Sequence, residues 1–190
     1  MSTHKKTATV DQGLRDWLEL IDKHGLVFIT DTPQTPEATE RLARRIAFVR
    51  ETHWGAFWDF TADMAHGDTA YTNLSLGVHT DTSYLTDPVG LQLFHLLEHN
   101  GKGGESLYVD GFKVAEVMRK DHPDEFNTLA TMGVSAHCAG DEDIFMSPLP
   151  KYRPIINVDE EGRVFQVRCF FLGVWGRVPK ILWALDSVQQ

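Results

Sequence analysis

His79-Thr80-Asp81 sets an imidazole and a carboxylate one residue apart, a donor pair from which a mononuclear metal site can be built. On an extended segment side chains alternate between faces, so residues 79 and 81 point the same way and can reach one ion. A 2-His-1-carboxylate set leaves part of an octahedral Fe(II) shell open for a chelating cosubstrate and dioxygen. The tripeptide alone is common on surface loops, so its neighbours must decide. Just upstream lie Trp54, Phe57, Trp58, Phe60 and Tyr71, with Asp68 among them. By composition these aromatics read as a core wall. As a binding surface, their π faces suit a quaternary ammonium, which has no N–H to donate. His95 sits in an apolar run and reads as a core histidine. His53, His66, His99, His122 and His137 stand outside any motif and read as surface or structural residues.

The chain that must position these groups has 190 residues, enough for one domain with a sizeable core. Its net charge of −9 argues against nucleic acid or an anionic membrane as the main partner, while a local basic pocket could still hold a small dicarboxylate. Cys138 and Cys169 are too few and too unpatterned for a disulfide scaffold, which points to a reducing compartment. No apolar run is long enough to span a bilayer. Met1–Val10 carries two lysines and no apolar core, so it does not read as a secretory signal. The expected location is cytoplasmic or mitochondrial.

Leu14, Trp17, Leu18 and Ile21 fall at helical spacing, with Asp11 as N-cap and Gly25 as terminator. Leu26–Thr30 reads as a short buried strand ending at the Asp31-Thr32-Pro33 turn. Thr35-Pro36-Glu37 starts a second helix, with Leu42, Ile46 and Val49 as its apolar stripe. Val89–Leu97 suggests a central strand and Leu107–Val109 another. Asp110 and Asp121 look like caps of two short helices, the first with Val114, Val117 and Met118 on one face. Ile155–Val158 and Val164–Val167 flank Asp159-Glu160-Glu161-Gly162 as a β-hairpin. The expected fold is mainly β with flanking helices, an antiparallel double sheet of jelly-roll type.

Four blocks in order carry a resemblance: Gly67-Asp68-Thr69-Ala70-Tyr71-Thr72, His79-Thr80-Asp81, Gly90-Leu91-Gln92-Leu93-Phe94-His95, and Gly103-Gly104-Glu105-Ser106-Leu107-Tyr108-Val109-Asp110-Gly111-Phe112. With them the chain resembles the Fe(II)- and 2-oxoglutarate-dependent dioxygenases of the taurine-dioxygenase superfamily. Within it, the likeness is to the branch of trimethyllysine dioxygenase and γ-butyrobetaine hydroxylase. The resemblance implies a double-stranded β-helix with His79 and Asp81 as iron ligands and Ser106 helping to hold 2-oxoglutarate. Gly103 and Gly104, lacking Cβ atoms, would let the backbone approach closely there. Trp54, Trp58 and Tyr71 match the trimethylammonium cage, and Asp68 a carboxylate for the substrate's cationic end. Trp54 stands where the family pattern has tyrosine.

The implied activity is C3 hydroxylation of Nε-trimethyllysine with Fe(II), 2-oxoglutarate and L-ascorbate. γ-Butyrobetaine or another betaine is the alternative substrate. The ligand would be a small quaternary ammonium compound, without nucleic acid or membrane, and related enzymes are often homodimers.

The family pattern also needs a second iron histidine well beyond the first, followed by an arginine that clamps 2-oxoglutarate in a bidentate pair. No histidine lies beyond His137; Arg177 is present, but no histidine precedes it at the appropriate place. The resemblance stops after Gln166-Val167-Arg168, and the family's further N-terminal domain has no counterpart. From Cys169 to Gln190 the chain is apolar and aromatic, broken by Gly173, Gly176 and Pro179, with no regular period. The expectation is therefore a partial dioxygenase domain over 1–168 and an unrelated tail over 169–190, from a retained intron or frameshift. A third reading follows, that of a non-catalytic product lacking the second metal histidine.

Overall fold

A computed structural model describes residues 11–53, 55–61, 76–139, 145–146, 153–169 and 183–185. The chain divides into two compact units, one of residues 1–60, 90–104 and 181–190, the other of residues 61–89 and 105–180.

In the first unit, α1 (Asp11–His24) ends at Gly25, whose φ of +69° is open to a residue without a Cβ and whose N–H returns to the Ile21 carbonyl. Trp17 and Val27 form the buried centre, with Leu14, Leu20, Ile21, Leu42, Ile46 and Leu93 packed on it. Leu18, expected in the stripe, faces outward. Leu26–Thr30 forms no strand element; Val27 is buried from an irregular segment instead. α2 (Pro36–Ala43) begins as expected: Thr35 accepts from the Ala38 N–H at 3.2 Å, and Pro36 occupies the first turn, where a missing N–H costs nothing. The central strand shortens to β1 (Leu93–His95).

His95 behaves as the core histidine that its apolar run suggests. Its Nδ1 lies 2.6 Å from the Thr39 hydroxyl, which also reaches the Thr35 carbonyl. Its Nε2 is buried without a hydrogen-bond partner among the described residues.

The second unit is built on a helix pair and a hairpin. α3 (Gly111–Asp121) starts at Asp110, whose carboxylate accepts from the Phe112 and Lys113 N–H groups. Its buried face centres on Ala115, while Val117, expected inside, is exposed. Asp121 is the last residue of α3 rather than a cap. Pro123 at the first turn sets the start of α4 (Pro123–Thr131). Six short strands follow: β2 (Gly133–Val134), β3 (Cys138–Ala139), β4 (Phe145–Met146), β5 (Arg153–Pro154), β6 (Ile156–Val158) and β7 (Val164–Val167). The β6–β7 hairpin matches the sequence reading. Its turn closes through Asp159 N–H to Arg163 O and Gly162 N–H to Asp159 O, with Gly162 at φ +77°. Ile156, Val167 and Ala115 make the core, joined by Phe126, Leu129, Ile155 and Val164. Burying Ile156 alone stabilises by about 1.5–3 kcal/mol. Leu107–Val109 is not a strand; it follows two glycines at positive φ and leaves Leu107 86% exposed.

Among the described residues the strands form four two-stranded sheets. β2–β5, β3–β4 and β6–β7 are antiparallel, and β1 runs parallel to β8 (Trp183–Leu185) in the first unit. No closed barrel joins them, so helices with small sheets are what these residues display.

Burial holds the pKa of His95 below its ordinary 6.5. A histidine with a depressed folded-state pKa contributes stability that is present above the unfolded value and is lost as pH falls through the folded value. NMR titration of the His95 ring is expected to give a midpoint below 6.5; a midpoint at or above it contradicts this packing.

Candidate metal centre

His79 and Asp81 do not lie on a strand. They sit where an extended segment meets a turn that begins at Asp81, yet they converge as predicted. His79 Nε2 is 3.3 Å from Asp81 Oδ1. Two donors about 2.1 Å from one ion and at right angles to each other lie about 3 Å apart, so this pair fits one edge of a coordination sphere. The other ring nitrogen is already committed. Nδ1 is 2.7 Å from the Gly77 carbonyl and donates to it, which leaves Nε2 as the nitrogen aimed at Asp81. The hydrogen bond to Asp81 raises the pKa of His79 above 6.5; burial opposes this, and the Gly77 carbonyl and the Asp81 charge add to it. A proton between Nε2 and Oδ1 would occupy the space that a metal ion held by both atoms would need.

The turn after Asp81 is strained and tied down. Thr82 is buried at φ +52°, a left-handed conformation that costs a β-branched residue about 1–3 kcal/mol. Its hydroxyl accepts from the Val89 N–H and its carbonyl from the Leu85 N–H. Arg168, just past β7 and only 4% exposed, donates to the Ser83 and Leu85 carbonyls through Nη1 and to the Thr86 carbonyl through Nη2. Hydrogen bonds from a charged donor contribute about 1.5–3 kcal/mol each, enough together to offset the Thr82 strain. Cys169 meets the segment from the other side. Its N–H donates to the Thr80 hydroxyl, its carbonyl accepts from the Thr80 N–H, and its thiol lies 3.7 Å from the Val78 carbonyl. Ser83 Oγ, 2.6 Å from the Thr80 carbonyl, closes the turn.

The remaining predicted site residues are placed unevenly. Ser106 is exposed on the coil before α3. Gly103 and Gly104 both take φ near +84°, and His99 Nε2 donates to the Gly103 carbonyl while Nδ1 accepts from the Gly101 N–H. His99 thus serves the turn, as its lack of a motif suggested. Trp58 is 42% exposed in the first unit. Trp54, Asp68 and Tyr71 lie outside the described residues, as do Arg177 and the greater part of 169–190. Among the described residues, no group of three or more His, Cys, Asp or Glu side chains is placed to hold a metal. The donors present therefore fit two positions of a triad. No helix among the described residues is long and apolar enough to cross a membrane.

The chain belongs to the taurine catabolism dioxygenase TauD, TfdA family, whose model matches residues 4–181. Among curated proteins it is similar to the trimethyllysine dioxygenase of Meyerozyma guilliermondii, 45% identical over 159 residues, spanning 83% of this chain and 39% of that protein. The human mitochondrial trimethyllysine dioxygenase is 40% identical over 148 residues, 78% of this chain and 35% of its own length. Human γ-butyrobetaine dioxygenase is more distant, at 31% over 157 residues, 83% of this chain and 40% of its own. The chain thus spans roughly two-fifths of these relatives.

If His79 and Asp81 form the metal edge, Mn(II), used as a redox-inert stand-in for Fe(II), broadens NMR signals around residues 79–81 first. Asp81→Ala is expected to weaken Mn(II) affinity by more than about tenfold, since losing even a second-shell partner costs 10–100-fold. Unchanged affinity in Asp81→Ala contradicts the assignment.

Proposed function

We propose that this chain carries the site of an Fe(II)- and 2-oxoglutarate-dependent hydroxylase acting on C3 of Nε-trimethyllysine. The observation that carries the reading is the convergence of His79 Nε2 and Asp81 Oδ1 at 3.3 Å in a chain of this family. The substrate rests on the relatives: greater identity to proteins named trimethyllysine dioxygenase than to one named γ-butyrobetaine dioxygenase. Bound iron would supply oxidative decarboxylation of 2-oxoglutarate to succinate and carbon dioxide, coupled to insertion of one oxygen atom into a C–H bond.

The chain's own residues orient and select. Gly77 fixes the His79 tautomer, and Asp81 supplies the anionic ligand that favours a divalent cation. Ser106 would hold 2-oxoglutarate. Trp54, Trp58 and Tyr71 would grip the trimethylammonium by π faces and exclude water, placing C3 for reaction. Asp68 would pair with the α-amino group, which trimethyllysine has and γ-butyrobetaine lacks.

The finer fold proposed is the family's double-stranded β-helix, with β6–β7 as one of its strand pairs. L-Ascorbate is proposed as the reductant that keeps iron divalent. The mitochondrial human relative supports a mitochondrial location over a cytoplasmic one. A small quaternary ammonium compound is the proposed ligand and a homodimer the proposed assembly, with neither nucleic acid nor membrane as partner.

Supplied with Fe(II), 2-oxoglutarate and ascorbate, the chain is expected to release succinate with Nε-trimethyllysine and not with lysine. Asp68→Asn should lower that turnover by about tenfold, the equivalent of 1.4 kcal/mol. Faster turnover of γ-butyrobetaine would move the assignment to that substrate. No succinate with any betaine would overturn the hydroxylase reading and leave the non-catalytic one.

A further inference from the structure

Outside the donor pair, the described residues of the second unit carry a densely hydrogen-bonded seam between Arg168-Cys169 and residues 78–86. We propose that Arg168 and the Cys169 backbone form a positioning clamp that sets the geometry of the His79–Asp81 donor pair. The proposal rests on the reading of those two residues as metal ligands, and neither Arg168 nor Cys169 is itself a ligand.

Val167 is buried against Ile156 and Ala115, and the Arg168 N–H donates to the Ile155 carbonyl at 2.8 Å. The strand end is therefore fixed by the core of the second unit. From this fixed end the Arg168 guanidinium reaches three backbone carbonyls, those of Ser83, Leu85 and Thr86, at 3.1, 2.8 and 2.9 Å. Its Nε donates to Gln166 Oε1 at 2.8 Å, which holds the plane of the fork. Arginine suits this role because its planar donors point in fixed directions, whereas a lysine ammonium would reach one carbonyl at a time.

Cys169 complements the guanidinium. Its N–H and carbonyl both engage Thr80, at 2.9 and 3.0 Å, and its thiol lies against Val78, so His79 is flanked on both sides by anchored residues. Asp81 is likewise bracketed, by Thr80 before it and by Thr82 and Ser83 after it. Thr82 supplies the independent sign that the loop is held rather than relaxed. Left to itself, a threonine at φ +52° would rotate back to the allowed region, and Asp81 would swing with it. The carbonyl bonds made by Arg168 oppose that relaxation. A loop held in this way keeps donors at bonding separation before any metal arrives, so that binding does not have to order them.

The test uses the full chain and three readouts: Mn(II) affinity, hydrogen exchange of the Thr80 and Leu85 amides, and exchange of the β6–β7 amides as a fold control. In Arg168→Lys we expect Mn(II) affinity to fall by about tenfold or more, within the range known for lost second-shell partners. Thr80 and Leu85 should exchange faster while the hairpin stays protected. Ethylguanidinium added to Arg168→Ala should restore part of both losses, which a merely destabilised fold would not do. Should Arg168→Lys also lose hairpin protection, Thr80→Val decides, because it removes the hydroxyl that accepts from the Cys169 N–H and leaves the core and the backbone bond from the Thr80 N–H in place. Weakened Mn(II) binding with an intact hairpin supports the clamp, and unchanged binding overturns it. If wild type binds Mn(II) and Arg168→Lys binds it equally with unchanged Thr80 and Leu85 exchange, the clamp is wrong and the metal reading stands. If wild type does not bind Mn(II), the metal reading itself fails and takes the clamp with it.

Discussion

A buried guanidinium that spends its hydrogen bonds on backbone carbonyls is the constraint on which the donor loop depends. Arg168 is fixed by the strand end that also places Val167 in the core, and it reaches across to Ser83, Leu85 and Thr86. Burying a charge is costly unless its donors are filled, and here the carbonyl oxygens of Ser83, Leu85 and Thr86 and the Gln166 side chain accept from it. Both sides of the seam are thus satisfied together. Burial, with Arg153 nearby, draws the Arg168 pKa below its ordinary value, but a guanidinium remains charged at neutral pH.

The chemistry of the donor pair follows from small local choices. The Gly77 carbonyl takes one ring proton, so the free lone pair of a neutral His79 belongs to Nε2, the atom nearest Asp81. Without metal, a second proton fills the gap and the carboxylate holds it there, which is why the pKa of His79 is raised. With metal, that proton must leave. If the pair binds a divalent ion as proposed, its affinity would rise with pH across the range in which His79 titrates. Such an exchange of proton for cation would need the two side chains to stay at their observed separation, on which the proposed clamp of Arg168 and Cys169 bears through the flanking residues.

Much of the local structure was legible in the residues. Thr35-Pro36 carries its own helix start, Gly25 its own stop, and the Asp159–Gly162 turn its own hairpin, because each is decided within a few residues. The approach of His79 to Asp81 was legible as well, although the reason was incomplete: alternation along a strand predicts the convergence, while the observed loop achieves it through Gly77 and a turn. Leu107–Val109 misled because β-forming side chains indicate a strand only where a partner edge exists, and here the segment stays exposed coil. Leu18 and Val117 misled because a stripe of apolar residues is wider than the face a neighbour can cover. Arg168 could not have been found from its own surroundings. A basic residue at the end of a strand is ordinarily solvated, and only the long-range approach of residues 83–86 gives it a role. The Thr80 and Ser83 hydroxyls, close to the donors and rich in hydrogen-bonding capacity, were the available hint.

The account stands or falls on whether His79 and Asp81 bind one ion together. X-ray absorption of the chain loaded anaerobically with Fe(II) addresses that most directly. The account predicts imidazole scattering from the iron that disappears in His79→Ala, and a loss of oxygen ligation in Asp81→Ala. An iron spectrum without imidazole scattering, or one that His79→Ala leaves unchanged, would contradict it.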